Sequence, residues 1–159
     1  MVRIEAITPD LAQEYRIEIT QFYYENVRSN QYYEHFRWEE AEEKIRGFIK
    51  HLENDECTAF GAFEDEKIIG FIWAYPHRFR EENRMYVNEI RVREEYRGKG
   101  YGKKLLTLIE ERAMEMGFTA VYLHAEANNA DARCFYADRG YNEERIQLRK
   151  RFNNNSPGL

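Results

Sequence analysis

Arg97-Gly98-Lys99-Gly100-Tyr101-Gly102-Lys103 lies between two runs of opposite period. Upstream, Met85-Tyr86-Val87-Asn88-Glu89-Ile90-Arg91-Val92-Arg93 alternates with the period of two expected of a half-buried strand. Downstream, Leu105, Leu106, Ile109, Ala113 and Met116 recur at helical spacing, and Gly117 stands where a helix C-terminus favours a left-handed residue. The order is strand, glycine-rich turn, helix. Gly98, Gly100 and Gly102 let successive backbone N–H groups face one way with no Cβ between them. Those donors, with the positive end of the helix dipole, suit a dianion such as pyrophosphate. Arg97, Lys99 and Lys103 either add cations around it or are simply solvated.

Phosphate-loop templates then separate. A Walker-A loop fails, because Lys103 falls where its second glycine belongs and no Ser or Thr follows. The dinucleotide fingerprint fails at the same residue. Arg/Gln-x-x-Gly-x-Gly/Ala matches Arg97 to Gly102 at every fixed position, with Gly98, Lys99 and Tyr101 at its free ones. A second block follows another apolar run, Ala120 to Ala125. In it Asn129, Ala132, Tyr136, Gly140 and Tyr141 fit Asn-x-x-Ala-x-x-aromatic-Tyr-x-x-x-Gly-aromatic. The two blocks, in this order, resemble the acyl-coenzyme-A binding signature of the GNAT superfamily of N-acetyltransferases. With the flanking elements the resemblance extends over roughly residues 2 to 152.

The 159 residues suit one domain, taken as residues 1–152, with 153–159 as a loose tail. A 43% apolar content with 15% aromatics excludes a disordered chain. No apolar run is long enough to span a membrane, and no secretory layout opens the sequence. Cys57 and Cys134 make no disulfide framework, so a reducing, cytoplasmic setting is expected. His35, His51, His77 and His124 have no ligand spacing, so no metal is expected. The net charge of −5 divides into −6 over residues 1–80 and +1 over 81–159. That balance does not suit nucleic acid. It fits either ordinary solvation or an acidic half that gathers a cation beside a basic half that holds phosphate.

In chain order, Val2 to Ala6 reads as a strand. One helix from Thr8-Pro9 reaches about Asn26, and a second runs from Trp38 to about Asn54. Cys57–Phe63 and Ile68–Tyr75 form a hairpin that Pro76 ends, and Arg78 to Asn83 is a charged connection. Asn142 to Phe152 alternates as a last strand. The expected fold is α/β (α+β): a mixed, mainly antiparallel central sheet flanked by helices, in the order βααβββαβαβ. The resemblance implies the same GNAT-like sheet, splayed between its fourth and fifth strands with the coenzyme in the opening.

Acetyl transfer to an amine poses two proton problems. Deprotonating an ammonium of pKa ~10.4 at neutral pH costs about 4–5 kcal/mol, and the departing thiolate leaves better with a proton available. Glu89, out of phase with Ile90 and Val92, projects opposite to them and is the candidate base; otherwise it is a surface residue paired with Arg91 or Arg93. Tyr136, a donor at neutral pH, is the candidate acid, a role the resemblance supports; otherwise it packs beside Phe135. Asn129 either bonds the pantetheine arm, as the resemblance implies, or caps the following helix. The backbone of Ile90, Arg91 and Val92 is expected to pair with pantetheine as an added strand. Acetyl-CoA is the co-substrate that the resemblance implies.

The acceptor site falls between the first two helices and around Arg78 to Asn83. Tyr32, Tyr33, Glu34, His35, Phe36 and Trp38, with Glu81 and Glu82, suit a cationic or polyamine-like acceptor, or else close the core. A small-molecule amine is favoured over a protein amine, and a homodimer is compatible with the chain. A non-catalytic acyl-CoA sensor of the same fold is the competing reading.

Overall fold

The structure, a computed structural model, describes residues 1–152 in two compact units, 1–123 and 124 onward. The first unit contains β1 (Val2–Ala6), α1 (Pro9–Glu14), α2 (Arg16–Arg28), α3 (Trp38–Glu53), β2 (Thr58–Glu64), β3 (Lys67–Phe79), β4 (Glu82–Val92), α4 (Tyr101–Glu115) and β5 (Ala120–Tyr122). The second contains α5 (Ala130–Ala137). The sheet runs β1-β2-β3-β4-β5, antiparallel except for the parallel β4–β5 pair. The expected mixed, mainly antiparallel sheet flanked by helices is present. Among the described residues no helix is long and apolar enough to cross a membrane.

Two cores sandwich the sheet. On one face Ile19 and Phe22 of α2 and Ile45, Phe48 and Ile49 of α3 pack with Phe63, Phe71 and Trp73. On the other, α4 buries Leu105, Leu106, Ile109 and Ala113. It comes so close at Gly70 that a Cβ there would lie 3.2 Å from Leu105 Cδ1.

Five expectations are corrected. The first helix is two: the chain bends at Tyr15 (φ −95°, ψ 20°), whose buried ring packs 5.1 Å from Phe63. That tertiary contact overrides helix periodicity. Pro76 does not stop its strand. β2 ends its pairing at Ala74, so Pro76 lies where β3 has a partner on one side only, a position that tolerates a missing N–H. Arg78 to Asn83 is therefore mostly ladder, turned by Arg80 (φ 55°) and Glu81. Among the described residues no last strand appears over 142–152, where Ile146 and Leu148 are 76% and 89% exposed and in no described ladder. Alternation supplies a face, and a strand needs a partner as well. The fifth strand ends at Tyr122 rather than Ala125, and the described order is βαααβββαβα. The tail at 153–159 lies outside the described residues.

Candidate active site

β4 carries the first half of the site. Its register with β3 slips by one residue between Trp73↔Glu89 and Ala74↔Val87, leaving Asn88 as a bulge. The bulge lets Val87 and Ile90 both take the α4 face, opposite Ala74 and Ile72, while Glu89 points with Trp73 to the α2–α3 face. Glu89 is 3% exposed, so the reading as a surface residue is excluded. Neither of its carboxyl oxygens has a hydrogen-bond partner, and neither has Trp73 Nε1 beside it. Burial pushes the Glu89 carboxyl up to about 8, against the opposing charges of Arg91 and Lys44. Glu89 in turn adds to the burial that raises the Tyr23 phenol. Orphaned buried polar atoms of this kind cost about 1–3 kcal/mol each, and a ligand or water satisfies them.

The same strand leads into the glycine-rich turn. β5 pairs with β4 only at Arg84, Met85 and Tyr86, so beyond Tyr86 the β4 backbone is laddered to β3 alone. That open edge includes Ile90, Arg91 and Val92. After a 3-10 turn at Glu94–Tyr96, Gly98 (φ 74°) and Gly100 (φ 84°) take left-handed backbone, and Gly100 is the N-cap of α4. No side chain caps this helix, so the amides of Tyr101, Gly102 and Lys103 are left for an anion. A Cβ at Gly98 or Gly100 would meet nothing within 4 Å, so it is the left-handed backbone that calls for glycine at both. Arg97 turns back, donating from Nε to Val92 O at 3.2 Å, and Lys99 Nζ lies 5.0 Å over the Tyr96 ring. Lys103 is exposed. The uncapped helix start and the one-sided β4 edge fit a diphosphate with an extended amide-bearing arm.

In the second unit Asn129 caps α5: its Oδ1 accepts from Ala132 N at 3.1 Å. Gly140 (φ 83°) closes the helix with Tyr141 N donating to Tyr136 O at 3.1 Å. Tyr136 is half-buried, its ring 5.2 Å from Phe135 and 5.7 Å from Tyr141. Burial raises its phenol to about 12, so it stays a proton donor across the neutral range.

The expected acceptor residues are spread out. Tyr32, Tyr33 and Glu34 are exposed around a 3-10 turn. Trp38 begins α3 with its ring 5.5 Å from Tyr24, in a cluster where Phe36 also meets Tyr23 and Tyr24. Glu82 is held by Arg84 in an ion pair. The sequence reading missed a second aromatic row on the Glu89 face of the sheet. Tyr75, Tyr86 and Tyr122 are cross-strand partners on β3, β4 and β5, with rings 5.2 and 4.9 Å apart. Tyr75 lies 5.8 Å from Trp73, and Tyr122 Oη is hydrogen-bonded to His77 Nδ1 at 2.5 Å. The alternation Trp73, Tyr75, His77 signals one face of β3; Tyr86 and Tyr122 join it only through register.

A model of the acetyltransferase (GNAT) family matches residues 11–141. Among curated relatives, the uncharacterized N-acetyltransferase YhfO of Bacillus subtilis is 33% identical over 118 residues, 72% of this chain and 79% of that protein. The uncharacterized N-acetyltransferase YdgE of the same organism is 24% identical over 150 residues, 92% and 96% of the two chains. A solved structure described as an acetyl transferase from Pyrococcus furiosus superposes with a TM-score of 0.73 at 25% identity, covering 96% of this chain and all of that one. With the family signature matched at both blocks and the sheet built to suit it, the chain belongs to the GNAT family of acetyl-CoA-dependent N-acetyltransferases.

Proposed function

We propose that this acetyltransferase acts on a small cationic primary amine by direct transfer, with Glu89 as base and Tyr136 as acid. The observation that carries the reading is Glu89: buried, with both oxygens unpartnered, on the strand that feeds the uncapped start of α4. Its carboxylate takes the ammonium proton, through water or directly. A carboxyl at about 8 is matched far more closely to an amine than an ordinary glutamate. Acetyl-CoA supplies the acetyl thioester. The amides of Tyr101, Gly102 and Lys103 would hold its diphosphate, helped by Arg97 and Lys99, and the open edge at Ile90, Arg91 and Val92 would pair with its pantetheine arm. Asn129, whose Oδ1 is engaged by Ala132, would offer its amide N–H to the same arm. Tyr136 would give its proton to the leaving sulfur. Cys57 and Cys134 are both unpaired, in keeping with a cytoplasmic setting. A thiol-release assay over a panel of amines, with calorimetry of coenzyme A binding, tests the reading. Turnover on a small amine supports it, whereas tight coenzyme binding with no turnover on any amine or peptide makes the protein a sensor.

A further inference from the structure

Resting on that reading of the Glu89 site, we infer that the acceptor is a monoamine carrying a flat apolar or aryl body, which lies along Tyr75, Tyr86 and Tyr122 while its nitrogen meets Glu89. The geometry comes from register. Successive same-face rungs of the β3–β4 ladder hold Trp73 with Glu89, then Tyr75 with Tyr86, then His77 with Arg84. β5 extends the middle rung through Tyr122. Trp73 and Glu89 are buried, whereas Tyr75, Tyr86, Tyr122 and His77 are half-buried, so the row descends from partly open rings to an enclosed carboxyl. Along β3 the two rungs are about 7 Å apart, and on β4 the Asn88 bulge adds a residue between Tyr86 and Glu89, so a ring on the tyrosine rung reaches Glu89 through a short spacer.

Charge selects one ammonium rather than several. Lys44 Nζ already lies over the Trp73 ring at 5.5 Å, and the Arg84 guanidinium over Tyr122 at 5.7 Å. The protein's own cations thus take the ring faces at both ends of the row. The nearby carboxylates are likewise engaged, Glu82 with Arg84 and Glu25 with Arg91 at 3.7 Å. Glu89 alone among these acids is left without a partner. A second ammonium at the far end of the row would meet Arg84 as a like charge, while an uncharged aromatic body on Tyr75 and Tyr86 meets none.

Two measurements on the full chain test this: steady-state acetylation and calorimetric binding of 2-phenylethylamine, butylamine, 1,5-diaminopentane and spermidine. The expected kcat/KM for 2-phenylethylamine exceeds that for either polyamine at least tenfold. Tyr86→Leu and Tyr75→Leu each raise KM for 2-phenylethylamine at least tenfold with kcat within threefold, and move KM for butylamine less than threefold. Polyamines equal to or better than the aryl amine, or tyrosine variants that weaken every amine alike, overturn the inference and leave the acetyltransfer reading intact. Aryl-amine binding without acetylation does the reverse, and neither binding nor turnover overturns both.

Discussion

Replacing Glu89 by Gln keeps the shape of the side chain and removes the proton whose position the buried site controls. In the unfolded chain the carboxyl ionises near 4.5, whereas in the fold it holds its proton to about 8. Between those values the folded state binds a proton that the unfolded state has released, so Glu89 destabilises the fold progressively as pH rises, and the effect levels off above about 8. At about 1.4 kcal/mol per pKa unit, the penalty is under 1 kcal/mol at pH 5, about 3 kcal/mol at pH 7 and close to 5 kcal/mol above pH 8. The Glu89→Gln variant carries no such term. Urea denaturation of both proteins should show the variant gaining about 3–4 kcal/mol on wild type between pH 5 and pH 8.5. Two stability curves that run parallel over that interval would refute the assignment of a neutral buried carboxyl. Activity should move the other way. Wild-type kcat/KM rises through the Glu89 ionisation, while the variant depends on amine already deprotonated, so its optimum shifts upward. An unchanged profile would leave Glu89 a structural residue.

Tyr136→Phe should lower kcat by on the order of 10²–10⁴-fold with coenzyme affinity, measured by calorimetry, almost unchanged; equal activity removes it from the chemistry. Gly100→Ala places a Cβ at φ 84° where space is open, so the strain should cost only about 1–2 kcal/mol in denaturation while coenzyme A binding weakens at least tenfold. Asn129→Ala removes the α5 cap and should destabilise by about 1 kcal/mol, with a larger proportional loss in KM for acetyl-CoA if the amide also serves the pantetheine arm. Gly70→Val should destabilise by about 1–3 kcal/mol, because Leu105 already limits the space to 3.2 Å from a first carbon.

The loop and its strand were legible because their signals are local. The left-handed glycines of the turn and of the helix end at Gly117 depend on a few consecutive residues and are where the sequence puts them, while the helix itself starts earlier than its apolar spacing shows, at Tyr101 inside the stretch read as turn. Glu89 could be assigned a face from alternation, but its burial could not be read that way. The Asn88 bulge and the covering α2–α3 layer create that burial, and both are products of pairing and packing. Pro76 was misread for a related reason. A proline is forbidden only where its strand has neighbours on both sides, and that is decided by where β2 ends. The aromatic row is the extreme case, since Tyr86 and Tyr122 stand on strands whose register no single stretch encodes.

A carboxyl buried without a partner looks like a defect until the reaction is written out. An ordinary glutamate faces an ammonium of pKa ~10.4 across about six units, a proton transfer uphill by about 8 kcal/mol. Raising Glu89 to about 8 leaves little more than two units, or about 3 kcal/mol, for the same transfer. The step turns a carboxylate and an ammonium into two neutral groups, so the dry surroundings that disfavour each charge favour the products. Lys44 and Arg91 pull the other way, toward the ionised form that the proposed base needs. With Glu89 as the proposed base, the loss of folding stability at neutral pH and the gain in proton-transfer driving force come from one burial. Any substitution that hydrates Glu89, such as Trp73→Ala, should remove both together: a more stable carboxylate, a lower acid limb in the pH profile and a slower enzyme.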